Sequence, residues 1–376
     1  MSKLEECILG DLVEFQRGYD LPKSKFVEGK YPVQSSNGIL GYHNEYKVEG
    51  PGITIGRSGT VGTPHLIREN FFPHNTSLFV KEFKGNDIEY IYYLLQYLDL
   101  GNQKSGSGVP TMNRNHLHPI KIRAYRDKTY QQRTIKILSL IDKKIQINNQ
   151  INQELEAMAK TLYDYWFVQF DFPDQNGKPY KSSGGKMVYN PELKREIPEG
   201  WGVESVGNLL DKVTKAEKIE NNSIEFIGEI PVIDQSQKYI AGFTNNENAI
   251  LQPQDGHVIF GDHTRVVKYI NFDYARGADG TQVLISNNEN ISNVLLYHMI
   301  EDFDLSNYGY ARHFKFLKEK TVIVPDKEVS SKFETQANVI YEKIKNNIFE
   351  NQELTQLRDW LLPMLMNGQV KVEDKT

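Results

Sequence analysis

Three places in this 376-residue sequence carry residue types at spacings that could do chemistry. Asp174 followed by Glu192-Leu193-Lys194 fits the loose pattern of a metal-dependent nuclease, in which carboxylates hold a divalent ion beside a scissile phosphate. Its setting is a polar Gly/Pro/Lys stretch without strands, and such a site needs ligands fixed to within about 0.5 Å. His116 and His118, two apart, would share one face of a strand, but no third ligand accompanies them. Gly184-Gly185-Lys186 lacks the earlier glycine of a phosphate-binding loop and continues into Met187. No Gly-x-Ser-x-Gly elbow is present, and Lys104-Ser105-Gly106-Ser107-Gly108 reads as a flexible loop. The Asn- or Asp-Pro-Pro-aromatic tetrapeptide of amino-methyltransferases is also missing. Catalysis by this chain alone is therefore not expected.

Composition narrows the classes further. Hydrophobic residues make up 39% and charged residues 25%, with 21 Tyr and 18 Phe, which is enough to fold two or three domains. Cys7 is the single cysteine, so neither a disulfide framework nor a cysteine-based zinc cluster is available. No run approaches the roughly 18 apolar residues of a spanning helix, and Lys3, Glu5, Glu6 and Asp11 break up the N-terminal stretch, so a cytoplasmic location is expected. The net charge of −5 excludes recognition of nucleic acid by bulk charge. Charge is uneven, however. Between Gly101 and Lys136 Asp127 is the one acid among Lys104, Arg114, Lys121, Arg123, Arg126, Lys128, Arg133 and Lys136. A solvated face and a phosphate-binding face remain equal readings of that run.

The elements that would position any site come in two copies. Asn152-Gln153-Glu154-Leu155 returns as Asn351-Gln352-Glu353-Leu354, 199 residues on (351 − 152). At the same offset Ile141 falls on Ile340, Ile145 on Ile344, Asn148 on Asn347, Met158 on Leu357 and Leu162 on Leu361. Upstream, Tyr31-Pro32-Val33 matches Ile230-Pro231-Val232, and Ile53 to Gly56 matches Val258 to Gly261. Thr76 then falls on Thr281, which puts Arg57-Ser58 against Asp262-His263 and His74-Asn75 against Asp279-Gly280. The apolar frame repeats while its polar residues change, as expected of one scaffold that recognises two different things.

Each half begins with short β-branched and aromatic runs broken by Gly, Pro and Asn, plus one helical piece at Asp87 to Leu98 or Ser292 to Ile300. Each ends in a long helix, expected from about Thr129 to Val168 and from Phe333 to Met366. A helix of about forty residues is roughly 60 Å long, more than a compact core needs. Leu138, Ile141, Ile145, Ile151, Leu155, Met158 and Leu162 recur at heptad spacing, as do Ile340, Ile344, Leu354, Leu357 and Leu361. Such a stripe on one helix usually faces its own core, but two similar stripes can pair, and a quasi-twofold arrangement would make them antiparallel. Asn148, Asn149, Asn152, Asn347 and Asn351 fall midway, where a buried Asn fixes register and an exposed one does nothing.

These features resemble the specificity subunits of Type I restriction-modification enzymes. The resemblance covers essentially the whole chain. It rests on the repeated order of domain then helix, on Trp166-Phe167-Val168-Gln169-Phe170-Asp171-Phe172-Pro173 with Asn176-Gly177-Lys178-Pro179-Tyr180, on Ile197-Pro198-Glu199-Gly200-Trp201, and on Leu361-Leu362-Pro363-Met364-Leu365-Met366-Asn367-Gly368. It implies an α+β fold of two similar target-recognition domains, each followed by a long α-helix, with the helices pairing as an antiparallel coiled coil of pseudo-twofold symmetry. The expected limits are 1–126 and 199–328 for the recognition domains, 127–170 and 329–368 for the helices, 171–198 for a crossing linker and 369–376 for a tail.

The resemblance further implies a non-catalytic subunit that reads a split double-stranded DNA target. Two methyltransferase subunits and restriction motor-nuclease subunits would join it, carrying S-adenosylmethionine, ATP and Mg; this chain itself would hold no cofactor. Base contacts are expected from loop side chains able to make paired hydrogen bonds. In the first domain these are Arg57, Ser58, Asn75, Lys104, Ser107, Arg114 and Asn115, and in the second His263, Arg265, Arg276, Arg312, His313 and Lys315. Two other readings compete: the nuclease of Asp174, Glu192 and Lys194, and a coiled-coil scaffold with two heads that bind something other than DNA.

Overall fold

The computed structural model describes residues 4–102, 112–211, 213, 216–309 and 312–372. The chain divides into two compact units, residues 1–147 with 351–376, and residues 148–350.

In the first unit Glu5–Ile8 pairs antiparallel with Lys121–Ala124, closing the head on itself. Between them a four-stranded sheet runs in the order Glu14–Arg17, Ser77–Glu82, Gly52–Gly56, Pro64–Ile67. A smaller sheet places Tyr31–Ser35 between Gly38–His43 and the parallel Phe72–Pro73. All five residues of Gly52–Gly56 are buried, the mark of a central strand covered on both faces. Helix α1 (Ile88–Leu98) starts where the Asp87 side chain accepts the Tyr90 N–H at 3.1 Å, and its Tyr90, Leu94 and Leu95 pack with Leu9, Phe15, Ile53 and Ile55. A one-turn helix, α2 (Arg114–Leu117), is capped by Asn113.

The second unit repeats this plan. Gly202–Ser205 pairs with Thr321–Val324, and His257–Gly261 lies between Val267–Ile270 and Thr281–Leu284. Ile230–Ile233 pairs antiparallel with Gly242–Thr244 and parallel with Tyr274–Gly277. Two short strands, Lys218–Ile219 and Ile250–Leu251, are added to that sheet. Helix α4 (Asn293–Ile300) is capped by Ser292, and α5 (Phe314–Lys318) takes the place of α2.

Strand register corrects the repeat by one residue. Thr54 faces His65 and Phe79, while Ile259 faces Lys268 and Val283, so Ser77 corresponds to Thr281 and Thr76 to Gly280. The identical side chains of Thr76 and Thr281 therefore do not occupy equivalent strand positions, because the ladder is set by peptides and not by side-chain type.

Helix α3 (Lys128–Tyr163) ends in a π-helical turn over Asp164–Val168, and α6 (Lys327–Met366) starts six residues before the expected Phe333. Within the first unit the α3 residues Leu138 and Ile141 share a core with Leu361 and Leu365 of α6. Arg358 Nη1 donates to Asp142 Oδ1 at 3.0 Å. Within the second unit Phe333 of α6 packs on Tyr163 and Trp166. Asn347 Nδ2 there donates to Asn152 Oδ1 at 2.7 Å, and Asn148 Nδ2 to Glu350 Oε2 at 2.8 Å. In each unit rising numbers on one helix meet falling numbers on the other, so the pairing is antiparallel.

The seam differs in phase from the apolar count. Met158 is 59% exposed and Leu357 43% exposed, so neither belongs to the buried face. Ala159 is buried instead, and Arg358 is half-buried against Asp142. The inward positions of α3 run Leu138, Ile141, Ile145, Asn148, Asn152, Leu155, Ala159, Leu162, an unbroken alternation of three and four in which Asn148 and Asn152 are buried. Asn149 is exposed.

The expected linker is a folded piece. Phe170, Phe172 and Ile197 are buried, Phe172 stacks between Tyr180 and Trp201, and Met187–Asn190 pairs with Arg195–Pro198 as a hairpin. Asp171 accepts both the N–H and the hydroxyl of Ser182, at 2.7 and 2.6 Å, which holds its carboxyl below the usual range. Glycine and lysine content hid a small aromatic core.

Candidate nucleic-acid interface

In the first unit four segments meet at the C-terminal end of Gly52–Gly56. The N–H groups of Arg57 and Ser58 both donate to the Thr76 carbonyl, at 2.8 and 3.2 Å, and the Met112 N–H donates to the Arg57 carbonyl at 2.8 Å. The Thr76 hydroxyl accepts from the Ser36 N–H at 3.3 Å and lies 3.0 Å from His74 Nδ1. Asn37 Oδ1 accepts the Thr60 N–H at 3.3 Å, which joins the turn after Tyr31–Ser35 to the loop after Gly52–Gly56. His65 Nε2 lies 3.4 Å from the Ser36 carbonyl. Burial pushes the His74 imidazole below its ordinary pKa, which favours the neutral ring beside that hydroxyl.

Arg57, Ser58 and Asn75 therefore share one loop cluster, all half-buried, with the Asn75 amide hydrogen-bonded to Asp20. Arg114 and Asn115 stand exposed on α2, directly after the Met112 junction. Lys104 and Ser107 lie outside the described residues.

The second unit reproduces the main-chain frame with different side chains. The Asp262 N–H donates to the Gly280 carbonyl at 2.7 Å, and the His313 N–H donates to the Asp262 carbonyl at 2.9 Å. These are the counterparts of the Arg57–Thr76 and Met112–Arg57 bonds. The buried Asp262 carboxylate also accepts the Phe314 N–H at 2.8 Å, fixing the start of α5. His263, Arg265, Arg312 and Lys315 are exposed around this frame, and His313 is 4% exposed. Arg265 sits at φ 64 within the tight turn, and its charge helps lower Asp304, whose main stabiliser is the Ser306 side chain.

Arg276 stands apart from the cluster, on the sheet strand Tyr274–Gly277 opposite Ile233 and Lys218. Its buried Nε and the buried Nδ1 of His313 have no hydrogen-bond partner among the described residues. A buried group of this kind costs stability until an acceptor meets it.

Residues overlooked in the sequence are those that hold the loops: Ser36, Asn37, Thr76, Gln235 and Asp262. A usable signal existed, because the short polar runs Gln34 to Asn37 and Asp234 to Ser236 follow within a residue of the repeated Tyr-Pro-Val and Ile-Pro-Val triplets.

The nuclease residues do not converge. Asp174 Oδ1 accepts the N–H groups of Asn176 and Lys178, both at 2.8 Å, while Glu192 accepts the Thr321 hydroxyl at 3.1 Å. Lys194 forms the positive-φ turn of the hairpin. Among the described residues no three His, Cys, Asp or Glu are grouped to hold a metal, and no helix is long and apolar enough to cross a membrane.

Two heads of one α+β design, each continued by a long helix, define a class of two-headed proteins. Residues 1–157 match the family model described as Type I restriction modification DNA specificity domain. The chain is 25% identical over 319 residues to the MjaIX specificity subunit of Methanocaldococcus jannaschii, covering 76% of this chain and 70% of that one. It is 24% identical over 320 residues to the HindI specificity subunit of Haemophilus influenzae, covering 65% and 68%. The crystal structure of a Type I S subunit from M. genitalium shares the fold, with a TM-score of 0.59 at 17% identity over 100% of this chain and 97% of that one. The chain is thus similar over most of its length to specificity subunits of Type I restriction-modification systems, and its first 157 residues match their DNA specificity domain.

Proposed function

We propose that this chain is the non-catalytic DNA-reading subunit of such a system, with residues 1–126 and 199–328 each reading one half of a split target. The observation that carries this reading is the duplicated loop frame. The same peptide hydrogen bonds present Arg57, Ser58, Asn75, Arg114 and Asn115 in one half and His263, Arg265, Arg312 and Lys315 in the other. A shared frame with different polar side chains is what two half-sites of different sequence require. Arg276 and His313 add buried donors or acceptors that a base or phosphate would satisfy. Lys104 and Ser107 belong to the proposal by sequence alone.

Each good paired base contact contributes about 1–3 kcal/mol of discrimination, too little for one head to find a unique address. Two linked heads raise the second binding step to roughly millimolar effective concentration, provided the gap matches. The helices at 127–170 and 329–368 would set that gap and carry two methyltransferase subunits. Restriction motor-nuclease subunits would complete the complex in the cytoplasm. S-adenosylmethionine, ATP and Mg would reside on those partners, whose methyltransferase flips the target adenine from the stack.

The test is reconstitution. The purified chain with duplex DNA and S-adenosylmethionine should transfer no methyl group. Adding a methyltransferase partner should give methylation at a bipartite sequence. Methylation or cutting by the chain alone overturns the proposal.

A further inference from the structure

We propose that Gln235 sets the base preference of the second head by locking two of its recognition loops into one register. This rests on the reading of the heads given above. Gln235 lies just beyond the strand Ile230–Ile233, and its amide bridges segments far apart in the chain. Its Oε1 accepts the His263 N–H at 3.1 Å, and its Nε2 donates to the Asp279 carbonyl at 2.9 Å. Its own main-chain carbonyl accepts the Thr264 hydroxyl at 2.6 Å. The orientation of the amide is chemically determined: one neighbour is an N–H and the other a carbonyl, so turning it over would set donor against donor and acceptor against acceptor.

Glycines beside this amide leave the space it occupies. A Cβ on Gly280, which has φ +76, would sit 2.6 Å from Gln235 Nε2, and one on Gly261 would sit 3.0 Å from Gln235 Cβ. From below, the buried Lys268 ammonium donates to the Asp234 carbonyl at 2.8 Å and to the Lys238 carbonyl, pinning both ends of the turn that carries Gln235. Gln235 is thus a positioning residue. It acts through the exposed His263 and Arg265 on one loop and the Asp279 turn on the other. In the first head Ser36 stands at the matching place, and the loops are joined instead by the shorter side chains of Thr76 and Asn37. The effect of losing Gln235 is therefore confined to the second half-site.

The experiment uses the full chain with its methyltransferase partner and a duplex library randomised in both half-sites, with methylated products sequenced. For Gln235→Ala, discrimination at one or more positions of the second half-site should fall about tenfold, the worth of one paired contact. Preference at the first half-site should stay as in the wild type. Gln235→Glu keeps the acceptor for His263 but sets a carboxylate oxygen against the Asp279 carbonyl. It should relax the same half-site, and it provides the reading if the Ala variant does not fold. Unchanged preference in both variants overturns the inference, as does an equal loss of methylation at both half-sites with base preference intact. A wild-type complex that methylates without any sequence preference overturns the underlying reading, and this inference with it.

Discussion

The two halves of this chain hold their loops at the same peptides by different means. In the first half small hydroxyl and amide side chains, Thr76 and Asn37, stitch the loops together, and each accepts one or two bonds. In the second a longer amide and a buried carboxylate, Gln235 and Asp262, reach between segments whose own residues are Gly261 and Gly280. The frame is thus a property of the fold, whereas the fastening belongs to each head. The helices differ similarly. The position that is buried Ala159 in one unit is Arg358 paired to Asp142 in the other.

The largest test of this contrast exchanges the seam residues. Ala159→Arg buries a cation in the aromatic core of the second unit and should cost about 3 kcal/mol or more in chemical denaturation. Arg358→Ala removes a half-exposed ion pair and should cost only about 0.5–1 kcal/mol. Similar losses for both would erase the distinction between the two seams.

Next, exchanging the loop residues should break one head and spare the other. Gly280→Thr forces a β-branched residue to φ +76 and drives its Cβ against Gln235 and His263, a cost of about 1–3 kcal/mol with loss of reading at the second half-site. Thr76→Gly removes a hydroxyl but fits any backbone, so about 1 kcal/mol is expected. Calorimetric melting with half-site methylation measures both, and equal damage would show the fastenings to be interchangeable.

An effect of comparable size is one of pH. His257, buried beside the Tyr274 hydroxyl at 3.0 Å, has its imidazole pushed down to about 4 by burial, against about 6.5 in an unfolded chain. Between those values the unfolded state binds a proton that the folded state refuses. The stabilising effect is whole above pH 6.5 and is lost as pH falls toward 4. The second unit should lose about 1–3 kcal/mol over that window, and His257→Gln should flatten this part of the slope. The first unit carries Gly52 at the matching strand position. Identical pH slopes for wild type and variant would remove His257 from the account.

Much of the architecture was legible in the sequence because it is written in local chemistry. Asp87 and Ser292 mark the starts of α1 and α4 as caps. The 199-residue repeat announced two heads of one design before any strand was placed. The seam phase was not legible by counting apolar residues, since Asn148, Asn152 and Ala159 occupy inward positions while the larger Met158 points out. Polar and small residues enter a helix interface when a partner side chain meets them, and the partner is about two hundred residues away. The aromatic core under the linker escaped notice for the same reason: Phe172, Tyr180 and Trp201 are ordinary residues until they stack. At the interface, loop side chains could be picked by type, but their fasteners could not. Gln235 earns its role from a carbonyl 44 positions later.

The peptide bonds at Arg57 and Asp262 carry one further consequence. Because the loop ends are tied through backbone atoms, the first head needs nothing structural from the side chain after its central strand; the Asp262 carboxylate also holds the start of α5, but Arg57 is released from such duty. Point changes there can rewrite what a head prefers while leaving its shape intact. On the proposed reading, new preferences then lie a single codon away from old ones.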